Sequence, residues 1–276
     1  MSPSFPVPVT LSPSRVTAFS DCPLAFRFST IEKLPQPPGM HAVKGNVVHR
    51  ALELLFGHEP DGRTTDAAHG SMGRAKDEYL ELPDFRLLNL TKTEAETFWR
   101  DCSVLIDGYL KMEDPKTIQN IELELYVEAI LGPFTVRGYV DRIEHDTDGH
   151  VVISDYKTGR TPRESDVGTK MQQLQLYAYM LREMRGELPA KIQLLYVRSG
   201  VKFEAIPSDQ SMRYITMRTT AAYDAIERAC TTGEFKPRKS GLCNFCAYKP
   251  WCPEFGGDPA RAAQEVPLMY PGIKSR

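Results

Sequence analysis

The chain has 276 residues, and its 41% hydrophobic and 25% charged content excludes a disordered chain, a collagen and a coiled-coil rod. Lys and Arg total 34 and Asp and Glu total 36, which gives a net charge of −2. This balance does not indicate nucleic-acid binding, so any such site must be a local basic patch. Six cysteines are too few for a disulfide scaffold.

The N-terminal residues have neither the basic nor the apolar segment of a signal peptide, and no run approaches the roughly 20 apolar residues of a membrane helix. We therefore expect a cytoplasmic protein with no membrane partner. In that compartment cysteines stay reduced and are more often metal ligands or core residues than disulfides.

The N-terminal half predicts mostly helices. Residues 1–13 are proline-rich and predict an extended arm, and helical periodicity begins at Ser14 with a break at Pro23. Residues 44–57 form a strongly amphipathic pattern, and residues 67–112 predict helices in two or three pieces.

Strand patterns dominate the next part of the chain. Five strands are predicted, over 121–130, 134–146, 150–159, 191–198 and 201–206, with helices over 164–186 and 208–232. The first two strands read as a hairpin closed at Gly132-Pro133, and a further turn at 146–149 leads into the third. This order predicts a mixed α/β fold with a central sheet flanked by helices.

Two carboxylates and a lysine mark the end of the predicted hairpin and the strand that follows it. Asp155 and Lys157 lie two residues apart in VVISDYKTG and so project to one face, where Asp141 of GYVDRIE can join them. Paired carboxylates suit a hard divalent cation such as Mg²⁺, and a neighbouring ammonium can orient water or stabilise charge on a phosphate. The pattern fits a phosphodiesterase site, although an isolated D-x-K is usually a surface ion pair at a strand end.

Two helical pairs add to this constellation. Gly45 and His49 lie one turn apart on the 44–57 helix, and His49 could supply an imidazole ligand. Gln173 and Tyr177 have the same spacing in MQQLQLYAYML and could contact a phosphate or a base. Taken singly, such residues are more often part of the core or the surface.

The C-terminal region concentrates three thiols, Cys243, Cys246 and Cys252, within ten residues. Metal–thiolate sites generally need four ligands, and Cys22 in SDCPLAF is the best fourth candidate. The remaining thiols, Cys102 and Cys230, lie in helical patterns and read as core residues. Spacing alone leaves zinc and an iron–sulfur cluster open, beside unrelated thiols or a disulfide.

Taken in order, these motifs resemble one family. The chain is similar to the RecB-like branch of the PD-(D/E)XK nucleases in five motifs: Gly45-x3-His49, GYVDRIE, ISDYKTG, Gln173-x3-Tyr177 and the four-cysteine set. Within that branch the chain resembles the iron–sulfur members, which include the AddB-type nuclease domain and the CRISPR adaptation nucleases. The resemblance runs from about Leu11 to Phe255.

The resemblance implies a restriction-endonuclease-like sheet and assigns roles to the residues. It implies that His49, Asp141 and Asp155 bind Mg²⁺ or Mn²⁺ and that Lys157 assists the attacking water. It implies that Gln173 and Tyr177 support DNA and the geometry of the catalytic site. Its four cysteines, Cys22, Cys243, Cys246 and Cys252, would hold a [4Fe–4S] cluster.

On this basis we expect one nuclease domain over 11–256, with a helical insertion at 58–117 and a cluster region at 236–256 that includes Cys22. Flexible tails would occupy 1–10 and 257–276. The expected activity is a metal-dependent DNA exonuclease acting at single-stranded ends in repair or recombination. The alternatives are a CRISPR-adaptation nuclease that trims DNA ends, or a non-catalytic iron–sulfur or zinc DNA-binding module. A helicase or a recombination or CRISPR factor could be a protein partner.

Basic residues near these motifs could track the DNA strand, although each could equally be a solvated surface charge: Arg142, Arg160, Arg163, Lys236, Arg238 and Lys239. Ser154-x2-Lys157 and Lys157-Thr-Gly each match a signature motif of β-lactamases. We exclude a β-lactamase because one lysine cannot serve in both motifs. A phosphate-binding P-loop sequence is absent, so the chain carries no ATP-driven motor of that type.

Overall fold

A computed structural model describes residues 4–273. The chain divides into two compact units. We call one the terminal unit, formed by the described part of Met1–Pro37, Glu128–Arg137 and Arg213–Arg276. The other is the central unit, formed by Pro38–Val127 and Gly138–Met212.

Helices and strands follow the predicted order closely. The helices are α1 Pro13–Asp21, α2 Pro23–Phe26, α3 Met40–Phe56, α4 Thr65–Glu81, α5 Pro83–Arg86, α6 Lys92–Leu110, α7 Glu164–Arg185, α8 Asp209–Thr232 and α9 Ala262–Met269. The strands are β1 Thr10–Leu11, β2 Gln119–Leu131, β3 Phe134–His145, β4 Val151–Lys157, β5 Lys191–Tyr196 and β6 Val201–Ala205. The predicted mixed α/β fold with a central sheet is confirmed.

The sheet of the central unit is mixed. β2 pairs with β3, β3 runs antiparallel to β4, β4 runs parallel to β5, and β5 runs antiparallel to β6. The parallel β4–β5 pair is joined through α7, as a parallel connection requires. β4 is buried on both faces up to Tyr156, which explains its continuous apolar run VVIS rather than a strict alternation.

Three helices of the central unit share one apolar core with the sheet. Val47, Val48, Ala51 and Leu52 form the buried stripe of α3, and they pack with residues of α4 and α6. α6 approaches the end of β5 so closely that a Cβ added at Gly108 would lie 2.0 Å from the carbonyl oxygen of Val197. Only glycine permits that approach without displacing the backbone.

The terminal unit holds the tip of the β2–β3 hairpin. β1 pairs in parallel with Thr135 and Val136, and Phe134 stacks on Tyr223 of α8 with ring centroids 4.1 Å apart. Residues 262–269, placed in a flexible tail by the sequence analysis, form α9, whose Ala262 is buried. None of the described helices is long and apolar enough to cross a lipid bilayer.

Candidate active site

His49 reaches the sheet because α3 packs against the segment that follows β4. A Cβ added at Gly45 would lie 3.3 Å from Thr158 Oγ1, so glycine at this position allows the helix to come near. One turn later, His49 Nε2 lies 2.9 Å from the Tyr156 carbonyl oxygen, and His49 Nδ1 lies 3.4 Å from Asp141 Oδ2. The G-x-x-x-H spacing therefore places a small residue at the contact and the imidazole at the site.

Asp141 is held by the neighbouring strand as well as by His49. The Tyr156 backbone N–H donates to Asp141 Oδ2 at 2.9 Å. Burial opposes the charge of this carboxylate, but His49 and Lys157 together keep the pKa of Asp141 below its ordinary value. The same pairing has the opposite effect on the imidazole. Burial alone would lower the pKa of His49, yet Asp141 raises it to about 9.

Asp155 and Lys157 form an ion pair beside this group, with Lys157 Nζ 2.6 Å from Asp155 Oδ2. Asp155 Oδ2 is buried, and the Lys157 ammonium is its charged partner. Burial raises the pKa of Asp155, Lys157 opposes that effect, and the nearby Asp141 adds to it. A buried carboxylate beside a second carboxylate fits a site that takes a cation.

Glu124 of β2 joins His49 and Asp141, and one ligand atom from each of the three lies within 4.8 Å of the others. Its backbone has φ of 47°, a left-handed conformation that interrupts the regular strand. Burial, and then Asp141, raise the pKa of Glu124 to about 7. Sequence reasoning passed over this residue. The available signal was the run IELEL, which places carboxylates at alternate positions on the strand preceding Asp141.

Gln173 and Tyr177 occupy one face of α7, and their side chains hydrogen-bond to each other. Tyr177 is close to Gly138, where an added Cβ would lie 2.8 Å from a ring carbon of Tyr177. Burial raises the pKa of Tyr177 to about 12, and Asp155 is among the charges that act on it. Tyr177 therefore lies near the carboxylates, and Gln173 is its neighbour on the same face of α7.

The sequence profile of the PD-(D/E)XK nuclease superfamily matches residues 10–253. The chain belongs to the PD-(D/E)XK nuclease superfamily. Together with the cluster of His49, Glu124 and Asp141, this membership identifies a metal-dependent nuclease.

Two relatives illustrate how far this nuclease resembles known proteins. The "Gene 69 protein" of Mycobacterium phage D29 is 24% identical over 274 residues, covering 88% of this chain and 96% of the phage protein. A crystal structure described as "Putative exonuclease" from Eubacterium rectale aligns with a TM-score of 0.55 at 12% identity. That alignment covers 87% of this chain and 88% of the other, and it supports the fold.

The four cysteines singled out in the nuclease sequence all lie in the terminal unit as free, half-buried thiols: Cys22, Cys243, Cys246 and Cys252. Burial raises the pKa of Cys246 and of Cys252, and Cys22 and Cys243 raise each of them further, so charges on these thiols act on one another. Cys102 and Cys230 are fully buried core residues, as predicted.

Two backbone amides point at these sulfur atoms. Arg238 N–H lies 3.5 Å from Cys22 Sγ, and Ser240 N–H lies 3.4 Å from Cys243 Sγ. The loop closes tightly, since a Cβ at Gly257 would lie 2.1 Å from the Pro250 carbonyl oxygen. Backbone N–H groups directed at sulfur are a common feature of cysteine sites that hold a metal cluster.

One expectation is wrong. Arg142, grouped above with the residues that could track DNA, has no exposed surface and is bonded to buried side chains of the central unit. On β3 it points to the side opposite Asp141, because successive side chains of a strand alternate. Arg160 and Arg163 are exposed.

Proposed function

We propose that this nuclease is a DNA exonuclease that hydrolyses phosphodiester bonds at single-stranded ends, using Mg²⁺ or Mn²⁺. The observation that carries the proposal is the convergence of His49, Glu124 and Asp141 within 4.8 Å, beside the Asp155–Lys157 ion pair. This ligand set, two or more carboxylate oxygens and one imidazole, suits a hard divalent cation better than it suits a structural zinc ion.

In the proposed site the cation is held by His49, Asp141 and Asp155, and Glu124 is a further ligand. When bound, the cation polarises the phosphodiester and lowers the pKa of an attacking water. Asp155 and Asp141 raise the pKa of Lys157 against the effect of burial, so its ammonium keeps its protons at neutral pH. Lys157 therefore donates hydrogen bonds from Nζ, and it stabilises negative charge on the phosphate rather than accepting a proton.

Cleavage breaks the bond between phosphorus and the 3′ oxygen, so the products are a 5′-phosphate and a 3′-hydroxyl. Tyr177 lies near the carboxylates with Gln173 as its neighbour, and we assign these two hydrogen-bonding groups the positioning of the strand. The exposed Arg160 and Arg163 follow β4 directly and suit contacts to phosphates further along the strand.

The terminal unit carries a second surface suited to single strands. Phe255 is 40% exposed and has Lys239 Nζ at 5.3 Å and Lys249 Nζ at 4.6 Å from its ring centroid. Phe245 is 77% exposed close by in sequence. Aromatic rings among cations are typical of surfaces on which unpaired bases stack. Lys236 and Arg238 belong to the same basic stretch.

We further propose that Cys22, Cys243, Cys246 and Cys252 hold a [4Fe–4S] cluster. The four-thiol donor set, the amides directed at sulfur and the resemblance of the cysteine pattern to the iron–sulfur members support this choice. The cluster would tie the α1–α2 junction to the C-terminal loop, within one nuclease domain spanning 11–256.

We assign the activity to DNA repair or recombination in the cytoplasm, with a helicase or recombination factor as a partner. The second candidate is the trimming of DNA ends in CRISPR adaptation. The site speaks against a non-catalytic iron–sulfur or zinc DNA-binding module, because all the side chains that cleavage needs are present.

Single strands labelled at either the 5′ or the 3′ end, incubated with Mg²⁺ or Mn²⁺, test the proposed activity. Release of short labelled products from one end, with little cutting of blunt duplex or closed circular DNA, is the expected result. Internal cuts in circular single strands would instead make the protein an endonuclease. Iron and acid-labile sulfide in protein purified without air would support the cluster, and stoichiometric zinc in colourless protein would refute it.

A further inference from the structure

A buried polar network lies behind the proposed metal site in the central unit. Its centre is Arg142, whose guanidinium donates from Nε to Glu144 Oε2 at 2.8 Å and from Nη2 to Glu144 Oε1 at 3.0 Å. Nη2 also donates to Glu113 Oε2 at 2.9 Å, and Nη1 to the Tyr156 hydroxyl at 2.8 Å. All three guanidinium nitrogens are therefore in use, which fixes the position of the group.

The rest of the network holds these partners in place. Ser154 Oγ donates to Glu144, and Gln193 Nε2 donates to both Ser154 Oγ and Glu144 Oε1, at 2.6 Å and 3.0 Å. These residues come from β3, β4 and β5, so the network joins three adjacent strands from one side of the sheet. Gln193 Oε1 is buried without a hydrogen-bond partner, whereas the other side chains of the network are held by several hydrogen bonds each. Buried groups bonded in this way across three strands form a rigid support.

Tyr156 links this support to the proposed metal ligands. Its side chain points into the network, while its backbone lies between Asp155 and Lys157. The Tyr156 N–H donates to Asp141 Oδ2, and its carbonyl oxygen lies 2.9 Å from His49 Nε2. A hydrogen bond from His49 Nε2 to that carbonyl fixes the imidazole tautomer that leaves Nδ1 available to a metal.

We propose that Arg142 and Tyr156 are positioning residues of the metal site: the guanidinium holds the Tyr156 ring, and the Tyr156 peptide holds His49 and Asp141 in register for the cation. This inference rests on the proposed function. Neither residue touches substrate or metal. Each acts through the Tyr156 peptide, because a displacement of that peptide moves the imidazole and one carboxylate together.

A pair of matched variants separates positioning from mere stability. Tyr156→Phe and Tyr109→Phe each remove one buried hydroxyl that accepts from Arg142 Nη1, at 2.8 Å and 3.3 Å. Both tyrosines are buried, and both substitutions leave the same guanidinium with one acceptor fewer. Of the two residues, Tyr156 is the one whose peptide contacts His49 and Asp141. Weaker metal binding in Tyr156→Phe but not in Tyr109→Phe would therefore show that Tyr156 positions the metal ligands.

The measurement is Mn²⁺ affinity of the full chain, followed by the EPR signal of free Mn²⁺, together with the thermal unfolding midpoint of metal-free protein. We expect similar drops of the midpoint in both variants, about fivefold weaker Mn²⁺ binding in Tyr156→Phe, and a change of less than twofold in Tyr109→Phe. Equal Mn²⁺ affinities in the two variants would overturn the inference.

A second variant covers the case in which Tyr156→Phe does not fold. Glu113→Gln weakens the ion pair between Arg142 and Glu113. Glu113 is only partly buried, and Lys202 Nζ also lies 3.3 Å from its Oε1. We expect about threefold weaker Mn²⁺ binding, and an unchanged affinity would refute the positioning role. A wild-type chain that neither binds Mn²⁺ nor cuts DNA would refute the proposed function itself, whereas an active wild type with unaffected variants would refute only this inference.

Discussion

The ion pair between His49 and Asp141 makes the stability of the metal-free nuclease depend on pH. Because the folded protein raises the pKa of His49 to about 9, it binds a proton that the unfolded chain releases near its ordinary value of 6.5. The contribution of this pair is therefore fully present below pH 6.5, and it is lost as pH rises through 9. We expect the free energy of unfolding to fall over this interval.

The size of the effect follows from the two pKa values. Between pH 7 and pH 9 the linkage relation gives a loss of about 2 kcal/mol for this single group. Burial raises the pKa of Asp155, so its contribution to stability also falls as pH rises. Two other groups of the site act mainly outside that window. The contribution of Glu124, whose pKa is raised to about 7, is lost mainly below pH 7. Lys157, with a pKa raised above its ordinary value, titrates at higher pH.

Urea unfolding in EDTA at pH 7, 8 and 9 measures the loss, and His49→Gln is the control. We expect the wild type to lose about 2 kcal/mol and the variant to lose less than about 0.5 kcal/mol over the same range. Saturating Mn²⁺ should reverse the trend, because the metal competes with the proton and binds more tightly as pH rises. Equal losses in wild type and variant would refute the assignment of the pKa shift to this pair.

Three further predictions follow from single contacts. Lys157→Met should lower the rate of DNA cleavage at least 100-fold while changing Mn²⁺ affinity less than threefold, as measured by initial rates and metal titration. Gly108→Ala, which puts a methyl group 2.0 Å from a carbonyl oxygen, should cost about 1–3 kcal/mol in denaturant unfolding, whereas Gly73→Ala, with nothing within 4 Å, should cost nothing. Cys246→Ser should lose iron and sulfide by chemical assay, and Cys230→Ser should retain both.

Local sequence rules predicted most of the fold, because its elements carry strong periodicity. The helix over 44–57 and the strand over 150–159 are each observed within a few residues of the predicted bounds. The family match then made the order of motifs informative about their spatial arrangement. Asp155, Lys157 and His49 could be named from sequence because short motifs of characteristic spacing contain them.

Two features could not be read from the sequence because they depend on tertiary contacts. Arg142 follows a site carboxylate and looks like a DNA-binding residue, yet strand alternation turns it toward buried acceptors: Glu144 on the same strand and Glu113, which is 29 residues away in the chain. Glu124 lies beside His49 and has a left-handed backbone, which no local preference of glutamate predicts. Both outcomes were decided by the packing of distant segments.

Asp155 is the carboxylate on which the proposed metal-dependent cleavage of DNA depends. This role is tested by cleavage of end-labelled single-stranded DNA in Mg²⁺ or Mn²⁺, compared between wild type, Asp155→Ala and the exposed-turn control Asp148→Ala. We predict activity in the wild type and in Asp148→Ala that EDTA abolishes, and a loss of at least 100-fold in Asp155→Ala. Undiminished cleavage by Asp155→Ala would contradict the nuclease assignment of this site.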